Sequence, residues 1–169
     1  VDSIRQVIID TPGVASLHEL RTRRMAHRSL VDAHVCVDPR ISVSEGHHIA
    51  ELTRKRVLDS HESVSDVLVH VDVEDDPEHD VKSQAMPARE DLTKALAPLL
   101  AGLPEPQRII LHYLDDRIEA EVYLPRETLE NATAVSRAER EIGRQLTRNP
   151  LVSALSINYR QRVFPAKGS

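Results

Sequence analysis

Aromatic side chains are almost missing from this chain of 169 residues: it has three tyrosines, one phenylalanine and no tryptophan. With so few rings to stack on bases, and no basic block, the composition argues against nucleic acid as the main partner. Charge of one sign is missing too. Lys and Arg total 22 against 27 Asp and Glu, and the formal charge of −5 comes from intermixed acids and bases. The single cysteine, Cys36, excludes an internal disulfide and suits a reducing compartment. No apolar run approaches a membrane span, and no signal peptide opens the chain. Glycine-rich phosphate loops, nucleophile–base sets and paired catalytic carboxylates are all absent as motifs, which argues against an enzyme.

What is present is 40% apolar residues, enough for a core of Val, Ile, Leu and Ala. "VDSIRQVIID" places Ile4, Val7 and Ile8 in helical phase until "TPG" breaks it. Val1 is not an initiating methionine, so the chain is expected to be a piece of something longer. Two strands follow, over Ser16–Ala26 and Ser29–Asp38. The second alternates Val31, Ala33, Val35 and Val37 against Asp32, His34 and Cys36. "SVSE" has capping-box spacing and opens a second helix, with Val43, Ile49, Ala50, Thr53 and Val57 as its apolar positions. A third strand, Asp66–Glu74, sets Val67, Val69, Val71 and Val73 against Leu68, His70, Asp72 and Glu74. The order is α-β-β-α-β.

Residues 75–87 are polar, without period, and carry two prolines, so a linker is expected over 76–87. The pattern then returns. A helix is expected over Arg89–Gly102. Two strands, joined by a tight turn at Asp115–Asp116, carry Ile118, Ala120, Val122 and Leu124 on one face. A further helix carries Val135, Ala138, Ile142 and Leu146, and a last strand carries Leu155, Ile157 and Tyr159. The chain reads as an α+β protein, a duplicated α-β-β-α-β unit of roughly 75 residues. Its expected divisions are 1–75, the linker 76–87, a diverged repeat over 88–162 and a tail over 163–169.

Histidine is unevenly spread. The first unit holds His18, His27, His34, His47, His48, His61 and His70, while His79 falls in the linker and His112 stands alone in the second unit. Superposing the halves sets His34 on Glu121, His70 on Ser156 and Asp72 on Asn158. The apolar stripe is kept while the polar positions change, so the scaffold does not require the His/Asp set. Imidazole plus carboxylate suits a borderline divalent metal. His27, His61, His79 and His112 read as surface or turn residues. By helical angle His47 borders the apolar stripe more closely than His48. Cys36 beside His34 is a tempting nucleophile, but a small half-buried cysteine is the commoner reading.

"PGVASLHELRTRR", "VDAHVCVDPRISVSEGHHIAE" and "DVLVHVDVED" together resemble the cytoplasmic C-terminal domain of cation diffusion facilitators, membrane exporters of Zn²⁺ and related metals. The resemblance runs from about Ile4 to Glu74. It implies a metallochaperone-like (ferredoxin-like) fold and a V-shaped homodimer whose arms close on metal. It places the unit on the cytoplasmic side of the membrane, beneath a transmembrane domain outside this chain. It also implies a ligand set of His18, His34, His70 and Asp72, with His47 bridging near the dimer seam. Zn²⁺ is the expected ion, with Fe²⁺, Co²⁺, Mn²⁺ and Ni²⁺ as alternatives. A metal-independent dimerisation or docking module of the same fold is the competing expectation. The linker and second unit depart from the family pattern.

Overall fold

The structure is a computed structural model, and it describes residues 1–73, 86–114 and 117–159. Linker residues 76–85, Glu74, the Asp115–Asp116 turn and the tail lie outside the described residues. The chain divides into two compact units, residues 1–79 and 80–169. Each is α+β, with a three-stranded sheet.

In the first unit, α1 (Asp2–Ile9) buries Ile4 and Ile8, one helical turn apart. It ends where Pro12 and Gly13 follow. Strand β1 (Ser16–Met25) pairs antiparallel with β2 (Arg28–Cys36) through the two-residue loop Ala26–His27, closed by the Met25–Arg28 pair. Helix α2 (Val43–Ser60) crosses over so that β3 (Val64–Asp72) lies parallel to β2. Ser42 caps α2 as its spacing predicts, its Oγ accepting from Glu45 N–H at 3.1 Å. Ile4, Ile8, Val31, Ala33, Val35, Val57, Val64 and Val67 form one core cluster, so both helices cover the same sheet face.

Two expectations need adjusting. Val43 is 92% exposed. It is the first helical residue, ahead of the turn that packs, and the buried stripe is Gly46, Ile49, Thr53 and Val57. The third strand is shifted to Val64–Asp72, so Val73 falls beyond it and is 36% exposed. A bulge at Ser65, between the pairs Ser29–Val64 and Leu30–Asp66, lets Val64 and Val67 share the core face although three residues apart.

The second unit repeats the order: α3 (Arg89–Leu96), β4 (Arg108–Leu114), β5 (Arg117–Leu124), a 3₁₀ turn (Arg126–Glu130), α4 (Ala132–Leu146) and β6 (Ala154–Tyr159). Again the first strand pair is antiparallel and the second parallel. Helix α3 stops at Leu96 rather than Gly102, because Pro98 cannot donate the next helical hydrogen bond. Leu99 and Leu100 still reach the core in the turn that follows. Ile118, Ala120, Val122 and Leu124 are all buried on one face of β5. The register reproduces the superposition of the halves: His34 pairs with His70 and Cys36 with Asp72, as Glu121 pairs with Ser156 and Tyr123 with Asn158. Among the described residues no helix is long and apolar enough to cross a membrane.

Candidate metal centre

The helices occupy one face of the first sheet, and the other face collects the polar side chains. β2 and β3 bring His34 and His70 side by side, and Cys36 beside Asp72 one pleat further along. The His34 and His70 rings stack, with centroids 4.4 Å apart and planes 13° from parallel. His34 Nδ1 lies 3.2 Å from Asp72 Oδ2, and its Nε2 lies 4.0 Å from Glu19 Oε2. Two donors on one tetrahedral zinc stand roughly 3.4 Å apart, from bond lengths near 2.1 Å. The His34–Asp72 pair, at hydrogen-bond distance of 3.2 Å, is close to that separation.

His18 arrives by a local irregularity. Leu17 pairs with Val35 and Glu19 with His34, so His18 is an extra residue, a β-bulge. In an unbulged strand Leu17 and Leu20 would point to opposite faces. Here both pack against the core, and the bulge turns His18 and Glu19 together onto the polar face. His18 Nε2 meets Cys36 Sγ at 2.5 Å.

The five residues singled out in the sequence are thus not treated alike. His34, His70 and Asp72 are brought together. His18 comes to the same face, against Cys36. His47 is exposed in the first turn of α2, and no hydrogen bond or ion pair joins it to the other four among the described residues. The donor types suit a divalent ion, with imidazole, carboxylate and thiol on one face. Among the described residues no three His, Cys, Asp or Glu side chains converge closely enough to hold one as they stand. The stacked imidazoles would have to turn for both to reach it.

Sequence reasoning set Cys36 on this face but read it as a small half-buried thiol, and it missed Glu19. The signal was available in the three-residue spacing of Leu17 and Leu20, which only a bulge reconciles with a strand. It also undervalued His112. On the outer face of the second sheet, Glu121 takes the place of His34. His112 Nε2 lies 2.9 Å from Glu121 Oε1, and Tyr123 donates to Glu121 Oε2 at 2.8 Å. The His112 side chain is only 9% exposed, so it is no lone surface histidine. His61 fits its structural reading: Ser3 Oγ lies 2.8 Å from its Nε2, and its Nδ1 faces Val57 O at 3.3 Å.

Residues 1–74 match the family described as cation efflux protein, cytoplasmic domain. Metal tolerance protein C1 of Arabidopsis thaliana is 39% identical over 72 residues, covering 43% of this chain and 15% of that protein. Cation-efflux pump FieF of Pectobacterium atrosepticum is 30% identical over 70 residues, covering 41% of this chain and 23% of that protein. The chain therefore spans less than a quarter of the length of these relatives. Among solved structures, a cadmium form of the MamM CTD is 22% identical with a TM-score of 0.42, over 43% of this chain and 91% of that one. Family match and relatives agree, and residues 1–74 of this chain belong with the cytoplasmic domains of cation efflux proteins.

Proposed function

We propose that the first unit is the regulatory domain of a divalent cation efflux transporter, on the cytosolic side of the membrane. It binds its ion, zinc before others, through His18, His34, His70 and Asp72. The observation that carries this reading is His34, held against Asp72 on one side and His70 on the other, within the segment that matches the efflux family. Three imidazoles and a carboxylate are a donor set for zinc, with Fe²⁺, Co²⁺, Mn²⁺ and Ni²⁺ as weaker fits. The working unit is a homodimer, and His47 acts at its seam. An ion that binds the closed dimer better than the open one shifts the population towards closure by that difference in affinity. Transport belongs to a membrane domain outside this chain, and this unit catalyses nothing. Calorimetric titration with Zn²⁺ at neutral pH tests the site. Saturable heat in the wild type is expected to vanish in His70→Ala/Asp72→Ala, and equal heats in both would end the reading.

A second reading has its own support in the lack of three converging donors among the described residues. On that reading the unit is a metal-independent dimerisation or docking module. Small-angle scattering with and without Zn²⁺ separates the two: a metal-dependent change in dimensions is expected from the sensor, and none from the docking module.

A further inference from the structure

We infer that Cys36 is a ligand of the same metal centre, and that its thiolate makes the site select soft, thiophilic ions such as Cd²⁺ and Zn²⁺ over Mn²⁺. This rests on the metal reading of the sheet's polar face. Val31, Ala33 and Val35 of β2 enter the core, so Cys36 shares the opposite face with His34. Its register partner on β3 is Asp72, the carboxylate that touches His34. From the other side the bulge in β1 delivers His18 onto its sulfur at 2.5 Å. An ion bound between His18 and Asp72 would have Cys36 beside it, because the thiol is in contact with His18 and its residue is the register partner of Asp72.

The separation also says what binding must change. Nitrogen and sulfur donors on one tetrahedral zinc stand roughly 3.6 Å apart, from bonds near 2.1 and 2.3 Å. The His18–Cys36 contact is shorter than that, so the pair opens to admit the ion, and the thiol gives up its proton to solvent as the metal–sulfur bond forms. Adding a thiolate to imidazole and carboxylate shifts preference from hard, oxygen-seeking ions towards soft ones. Burial helps in a second way: Cys36 is 6% exposed, which keeps competing thiols and oxidants from the sulfur.

The chain has one cysteine, so a thiolate–metal charge-transfer band in the ultraviolet can only report Cys36. The experiment adds Cd²⁺ to the whole chain and follows that band, with affinities for Cd²⁺ and Mn²⁺ measured by calorimetry. Expected are a band that saturates with binding, its loss in Cys36→Ser, and a fall in Cd²⁺ affinity of roughly tenfold or more with Mn²⁺ affinity changed by less than about threefold. Saturable heat that His70→Ala/Asp72→Ala abolishes, with no band in the wild type, would overturn the Cys36 assignment and leave the metal face standing. A band that persists undiminished in His70→Ala/Asp72→Ala would also overturn it, since the thiol would then bind on its own. No saturable binding of any ion would end both. The wild-type spectrum decides without any variant, so a misfolded Cys36→Ser protein does not shelter the inference.

Discussion

Asp66 shows how a single contact sets a titration. Arg54 Nη2 donates to its carboxylate at 2.9 Å, and that bond, more than the Val67 backbone contact, holds its pKa below the ordinary 3.8. A lowered folded pKa stabilises the fold above the unfolded pKa, and that contribution fades as pH falls through the folded one. Arg54→Gln should therefore move the Asp66 titration up towards 3.8, read by carboxyl NMR shifts. Tyr123 runs the other way. Its hydroxyl donates to Glu121, which favours the neutral phenol and raises its pKa above 10.0. The stabilisation is fully present below 10.0 and is lost as pH rises through the higher folded value. Glu121→Gln is expected to bring the phenol back down, and ultraviolet titration of the chain checks it.

Two glycines and one cap carry the argument at the scale of elements. Gly13, between α1 and β1, has φ of +93°, and a Cβ there would lie 2.6 Å from Ile49 Cδ1 in the buried stripe of α2. Gly102, after α3, has φ of +88° with nothing within 4 Å. Both are strained by a side chain, but only Gly13 also needs the close approach. Gly102→Ala should cost about 1 kcal/mol, and Gly13→Ala more, roughly 2–4 kcal/mol, because overpacking adds to the strain. Ser42→Ala removes the cap of α2 and should cost about 1 kcal/mol. Urea unfolding of each variant measures all three, and equal losses at the two glycines would refute the role given to Ile49.

At the scale of the molecule, the described residues form two cores. The first gathers Ile8, Val35 and Val57, and the second Leu92, Leu96 and Val122, all fully buried. A cavity cut in one core should weaken that unit first. Leu92→Ala should destabilise the second unit by roughly 2–5 kcal/mol and leave metal binding at the first unit's face unchanged. Followed by hydrogen exchange, the loss of protection should be concentrated in β4–β6. Loss spread evenly over β1–β3 as well would mean that the units unfold as one.

The sequence by itself determined the alternation of helices and strands, the apolar stripes of β2 and β5, the capping of α2 and the family of the first unit. Those features are local, because period and spacing on one element decide which face is apolar. It also set His34 on Glu121 and His70 on Ser156, since the two halves could be read against each other, while the pairing of His34 with His70 came from the strand register. What only the tertiary structure decided depends on neighbouring strands. The bulge at His18, forced by Leu17 and Leu20 both seeking the core, turned Glu19 and His18 onto one face and set a histidine on Cys36. In the second unit, partners from different strands made His112 one half of a half-buried pair with Glu121. No window along one strand contains these contacts, because each is made by a register that hydrogen bonding between strands sets.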